Sequence, residues 1–449
     1  MRQLMYLIIA AAMLAAYVSS TDVHLVPGVV KYLPDLASAG TVLYVFVAGV
    51  GQQFRFVNVK YWLIFGALAV VLACGPLVNQ ESVGPIVAGI RAYLRAIPLF
   101  FLPAVINFSD RDLKGYLRFI LALSLLQLPV EGYQRITGIA KGWWTGDIVI
   151  GTLMDSGIVS LFLIAVLCVM AALMLRGRIG KIWFGVCFVM MMIALSINET
   201  KMTVFVLPLA LLVTFVVAAP GGRKIIVTLQ ALCFLIVGGA IFVPLYDTLN
   251  KNDDGTQGFT IEDFVTNRED LYKYMNHDTG IGTGKEARRG DSLAAPFRAL
   301  SADPVKFTFG LGIGNASKSG MGEQYSGRYM PLYWNFAQQM SVTAFLFEIG
   351  LLGTGLVLLL HWMLLRDALF VAKHDQGLLG VLALGYVGAW FTIAIGLFYA
   401  TIHVYESISF LFWFFSGLFA ARRQRLAMSR ATVSPAFNAA IAPMKLKAG

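Results

Sequence analysis

Apolar stretches long enough to cross the roughly 30 Å hydrocarbon core of a bilayer recur along almost the whole chain. They lie at about 4–20, 36–53, 59–75, 84–106, 113–129, 148–174, 182–197, 202–219, 224–245, 340–365, 378–400 and 404–421. This spacing predicts about twelve transmembrane helices. One polar stretch of any length interrupts them, covering about 94 residues from 246 to 339. The expected fold is an all-α polytopic membrane protein. Helices one to nine fall in 1–245, a long extramembrane loop in 246–339, helices ten to twelve in 340–421 and a basic tail in 422–449.

The basic residues give this alternation a direction. Arg55 and Lys60, Arg111 and Lys114, Arg176, Arg178 and Lys181, Arg223 and Lys224, Arg366 and Lys373, and Arg422, Arg423, Arg425 and Arg430 all fall on one side of it. Short loops rich in Lys and Arg stay in the cytoplasm, so both termini are expected there and the long loop outside. Met1-Arg2 and the LMYLIIAAAMLAAYV that follows fit either a signal peptide ending near Ser19–Ser20 or an uncleaved first helix. The uncleaved helix is adopted, and the other orientations do not depend on that choice. The tail after Ala420 reads as a disordered basic end near anionic lipid.

The long loop divides into three parts. FTIEDFVTNREDLYKYM sets Ile261, Phe264, Val265, Leu271, Tyr272 and Met275 at helical spacing, with Thr260 and Asp263 placed to cap the start, so an amphipathic helix is expected at about 259–275. A second helix is expected at about 292–302, ending before Pro304, and GLGIGNASKSGMG at 310–322 reads as a Gly-rich loop. The loop carries ten Lys and Arg against twelve Asp and Glu, so it is not a polybasic patch.

Composition supports the membrane reading. Hydrophobic residues make up 58% of the 449 and charged ones 13%, whereas soluble domains run at about 45–50% and about 25%. The net charge of +10 would suggest nucleic acid in a soluble protein; here its distribution along the spans answers that question instead. Cys74, Cys168, Cys187 and Cys233 all sit in apolar runs, which implies packing rather than a disulfide framework or a zinc site. No cofactor and no metal cluster is expected.

A few charges lie where charge is expensive. Arg91 and Arg95 fall within the fourth span, four residues apart and so on one helix face, roughly 10 and 16 Å from its outer end at Gly84. Ionisable groups at such depth mark functional sites by default, and two guanidinium forks suit a diphosphate. Pairing with a buried carboxylate such as Glu348, about eight residues into the tenth span, is the structural alternative. Glu199 and Lys201 fall at an outer turn, and His277 is the one loop residue with an ordinary pKa near neutrality.

Four blocks resemble the superfamily of O-antigen ligases and Wzy-type polymerases, multi-span enzymes that act on undecaprenyl-diphosphate-linked glycans. GTLMDSGIVSLFLIAVL at 151–167 is similar to the family's Gly-Thr helix opening. SINETKMTVFVLPLALL at 196–212 resembles its Ser-Arg helix start, with Lys201 in the Arg position. RRGDSLAAPFRALSADP at 288–304 resembles the loop motif with an Arg fifteen residues before a Pro, here Arg289 and Pro304, followed by Gly310, Gly312 and Gly314. QMSVTAFLFEIGLLG at 339–353 resembles the block in which a His precedes Glu-x-Gly by nine residues, with Gln339 standing where the His would be.

The resemblance implies metal-independent glycosyl transfer on the periplasmic face of a bacterial inner membrane. An acceptor hydroxyl attacks the anomeric carbon of an undecaprenyl-diphosphate-linked oligosaccharide, and the lipid diphosphate leaves. Arg289, Lys201, Gln339 and His277 are the catalytic candidates, and Arg91, Arg95, Arg288 and Glu348 those for binding diphosphate or glycan. The implied partners are the lipid-linked donor, a glycan acceptor, the bilayer and a chain-length regulator, with no nucleic acid. The missing His favours a polymerase of repeat units over a ligase that delivers glycan to lipid A core, and a transporter or flippase is the reading from another class.

Overall fold

In the computed structural model, described for residues 2–20, 25–52, 54–141, 149–198, 200–219, 222, 224–249 and 287–441, the chain is helical, with no strand among the described residues. The helices are α1 (Leu4–Val18), α2 (Leu33–Gly51), α3 (Val59–Val78), α4 (Val83–Leu94), α5 (Pro98–Val105), α6 (Asp110–Ala140), α7 (Ser156–Leu175), α8 (Lys181–Ile197), α9 (Thr203–Ala218) and α10 (Lys224–Leu249). After the long loop come α11 (Arg289–Leu300), α12 (Pro304–Phe309), α13 (Met330–Ala337), α14 (Ser341–Glu348), α15 (Gly350–His374), α16 (Leu378–Gly396) and α17 (Glu406–Ile441). The expected amphipathic helix at 259–275 and His277 lie outside the described residues.

Among the described residues, seven helices are each long and apolar enough to span a membrane, eight if the bent pair α4 and α5 counts as one, and three more are apolar but shorter. The protein is therefore a polytopic helical membrane protein. Large apolar side chains face outward around it, among them Leu63, Leu77, Ile182 and Ile225, and a bilayer is the solvent that accommodates such a surface.

α7 and α16 form the hub. They pack on each other more extensively than any other pair, and α9 packs on both. In each, 72% of the apolar window is buried inside the bundle, against 13% for that of α10. Asp155 starts α7 by accepting the Ile158 amide at 2.9 Å, satisfying one of the donors that a helix start leaves open.

Three expectations change. The span at 84–106 is broken between α4 and α5 by a 45° bend. The span at 340–365 is broken at Ile349, and α15 begins only at Gly350, whose φ of +66° suits a residue without a Cβ. Glu348 therefore ends the short buried helix α14, rather than lying eight residues inside a span. The basic tail is helical through Ile441, and its arginines hold protein groups: Arg422 bonds Asp375, Arg423 bonds Asp367 and Arg425 bonds the Pro103 carbonyl. Lys60 and the Tyr61 hydroxyl complete the Asp367 cluster. The loop helix expected at 292–302 is present as α11, shifted a few residues earlier.

Candidate functional site

Arg91 and Arg95 do share one face of α4, and that face meets two carboxylates. Arg91 forks onto Asp35 near the start of α2, with Nε to Oδ1 at 2.9 Å and Nη2 to Oδ2 at 2.8 Å. Arg95 bonds Glu406 at the start of α17 and the Val404 carbonyl, and stands 3.6 Å from Asp35 Oδ1. Two cations are thus answered by two anions. The pair presents no surplus charge to a diphosphate, and its partners are Asp35 and Glu406 rather than Glu348.

Glu348 is 1% exposed and both its oxygens are engaged. Oε1 accepts the Ala316 and Ser317 amides at 3.2 and 2.8 Å, and Oε2 accepts the Tyr93 hydroxyl at 2.8 Å. It locks the Gly-rich loop onto α14 and α4, which leaves it unavailable to a glycan. Gly310, Gly312 and Gly314 all have positive φ, at 78°, 101° and 77°, so the loop needs residues free of the Cβ restriction. The Leu311 and Gly312 amides are spent on the Phe347 and Glu348 carbonyls. These glycines make a tight joint against α14.

The connection between α16 and α17 gathers the remaining candidates. Arg289, at the start of α11, donates from Nε to the Tyr399 carbonyl at 3.2 Å, and its guanidinium lies 4.1 Å from the Tyr399 ring centroid. Ser341, two residues beyond Gln339, bonds the Ala400 carbonyl through both its amide and its hydroxyl at 3.0 Å. His403 Nδ1 is 3.0 Å from the same Ser341 Oγ. Tyr405 donates to Asp155 Oδ2 at 3.1 Å, which ties this connection to the start of α7. Ser160, one turn along α7, bonds Asn198, and Asn198 accepts the Thr200 amide, so the turn bearing Lys201 joins the same end of the bundle. Arg289 and the segment after Gln339 thus meet the same connection, and the turn bearing Lys201 lies at the same end of the bundle. Arg288 is exposed and accepts the Ser292 amide through its backbone carbonyl.

Next to this polar layer lies an apolar cavity of about 920 Å³ between α2, α3, α4, α5, α15 and α17, walled by side chains such as Phe65, Leu72, Phe101, Ile313 and Trp413. Tyr93 and His403 also line it, so the cavity touches the polar layer there.

His403 and Glu81 were not singled out from sequence. The His403 ring is enclosed by Tyr93 and Phe345, with centroids at 5.2 and 4.8 Å. Burial, aided by the Arg95 cation, pushes its pKa down to about 3, which keeps the imidazole neutral. The Ser341 hydroxyl lies 3.0 Å from both the Ala400 carbonyl and His403 Nδ1, and the neutral ring keeps one nitrogen as an acceptor. Glu81, between α3 and α4, has no hydrogen-bond partner on either oxygen among the described residues. Burial, with the nearby Glu348 charge, raises its pKa to about 8 although Arg328 opposes the shift. The signal for both was present: each is an ionisable residue in a short connection between apolar runs, on the side opposite the basic loops.

No group of three or more His, Cys, Asp or Glu among the described residues is placed to hold a metal ion. The sequence matches no protein-family model and no curated protein.

Proposed function

We propose that this protein is a membrane glycosyltransferase that joins repeat units carried on a polyprenyl diphosphate. The observation that carries the reading is the 920 Å³ apolar cavity ending at Tyr93 and His403, beside the layer that holds Arg289. A molecule with a long apolar tail and a polar, anionic head matches that juxtaposition. Glu406 of the polar layer and Arg422 of the basic end are sixteen residues apart on α17, roughly 24 Å. Under the positive-inside rule the site then faces the periplasm, in a bacterial inner membrane crossed about twelve times.

In the proposed reaction the acceptor hydroxyl attacks the anomeric carbon and the carbon–oxygen bond to the diphosphate breaks. The leaving diphosphate takes the electron pair, and the hydroxyl proton passes to water. Arg289, held over the Tyr399 ring, and Lys201 supply positive charge where the leaving group develops its own. His403 orients the acceptor hydroxyl through its neutral ring, and Gln339 holds the glycan. Asp35 and Glu406 fix Arg91 and Arg95 as the floor of the site. The transfer needs no metal ion, because the diphosphate is already a good leaving group.

The test is transfer by the purified protein in liposomes containing one synthetic undecaprenyl-diphosphate repeat unit, with EDTA present and Arg289→Ala as control. A ladder of longer lipid-linked glycans that Arg289→Ala lowers at least a hundredfold, the scale of losing an electrostatic stabiliser, is expected. Transfer only when lipid A core is added would make the protein a ligase. No transfer, with glycan movement driven by an ion gradient, would make it a transporter.

A further inference from the structure

At the basic end of the bundle a second cavity opens sideways between α6, α7, α8, α16 and α17, with a volume of about 620 Å³. Its walls are apolar, formed by residues such as Leu121, Phe162, Val169, Leu382 and Phe415. Its rim carries Lys114 and Arg118, one turn apart on α6, Arg178 in the turn after α7, and Trp183 on α8. All four rim residues are exposed. The lining runs from Leu173 back to Phe162 along α7 and from Leu378 to Ile393 along α16, roughly 16 and 22 Å, and so is at least one leaflet deep.

The cations at this end are of two kinds. Lys60 and Arg423 are held by Asp367, and Arg422 by Asp375, three residues before Leu378, which itself lines the groove. Lys114, Arg118 and Arg178 have no ion pair or side-chain hydrogen bond among the described residues. Three like charges share one rim without an answering anion among the described residues, above an apolar slot at least one leaflet deep and beside a half-exposed Trp (51%) of the sort that marks the membrane interface. A soluble anion would satisfy the rim and leave the slot empty, and a neutral lipid would fill the slot and leave the charges unanswered.

We infer that this groove binds an anionic phospholipid, with its phosphodiester held by Lys114, Arg118 and Arg178 and its acyl chains along the wall formed by α6, α7 and α16. Each cation near an anionic headgroup contributes about fivefold to affinity, and the three together on the order of a hundredfold.

The experiment is native mass spectrometry of the full-length protein released from nanodiscs of phosphatidylglycerol or phosphatidylcholine. The wild type is expected to retain one more phosphatidylglycerol than phosphatidylcholine molecule. K114Q/R118Q/R178Q is expected to lose that molecule, with affinity about a hundredfold lower. Leu121→Trp keeps the charges and obstructs the slot, and it too is expected to lose the lipid. Equal retention of the two lipids by wild type, or retention by the triple variant, overturns the inference. Retention by Leu121→Trp with loss in the triple variant would mean that the charges attract lipid at the surface alone, which also overturns it.

Discussion

The two ends of the bundle handle charge in opposite ways. At the end that holds the proposed site, Arg91 and Arg95 meet Asp35 and Glu406, and Glu348 meets Tyr93 and two backbone amides. At the basic end, Asp367 and Asp375 satisfy some cations, and Lys114, Arg118 and Arg178 stand over an apolar groove with no ion pair among the described residues. Buried charge must be paired inside the protein, because burial strips away the water that would otherwise solvate it. Charge at a lipid-facing rim can wait for a partner from outside. Matched networks therefore hold a site in shape, and unmatched ones recruit.

The largest effect should come from breaking a matched group. Glu348→Ala leaves the Ala316 and Ser317 amides and the Tyr93 hydroxyl without an acceptor, at a cost of about 3 kcal/mol, read as a fall in the thermal midpoint in detergent. Tyr93→Phe removes one of those bonds and should cost about 1 kcal/mol. Equal falls for the two variants would show that Glu348 is not the centre of this joint.

A smaller, pH-dependent effect is expected at Glu81. Its folded pKa of about 8 stands above the ordinary 4.5, so the folded protein keeps a proton that the unfolded chain releases. Its contribution to stability is complete below about pH 4.5 and is lost as pH rises to about 8, by about 1–2 kcal/mol after discounting for partial exposure. Glu81→Gln should flatten this part of the midpoint-against-pH curve. An unchanged slope in that variant would place the titration elsewhere.

The smallest effect belongs to the unmatched rim. Lys114→Gln or Arg178→Gln should move the midpoint in neutral detergent by less than about 0.5 kcal/mol, since neither side chain gives up a protein contact. A larger fall for either would erase the contrast between the two ends.

Much of this was legible along the chain, because a span announces itself by length and apolarity alone. The apolar runs gave the helical membrane class, and α11 lay close to where Pro304 and the turn residues placed it. The breaks were harder to read. LFEIGLLG is apolar apart from Glu348, and only the backbone at Gly350, with the Gly-rich loop docked on Glu348, separates α14 from α15. The helical tail is hidden in the sequence because its arginines look solvated there, whereas Asp367 and Asp375, more than forty residues away, hold them.

The sequence by itself determined which segments enter a bilayer, where the basic residues cluster, and that Arg91 and Arg95 share a helix face. Only the tertiary structure decided their partners. It pairs Arg91 with Asp35 and Arg95 with Glu406, sets His403 on Ser341, and leaves Lys114, Arg118 and Arg178 facing an open groove. Hydrophobicity is a local property that any window of the chain reveals, whereas pairing depends on distances of a few ångströms between segments as much as three hundred residues apart, which folding alone sets.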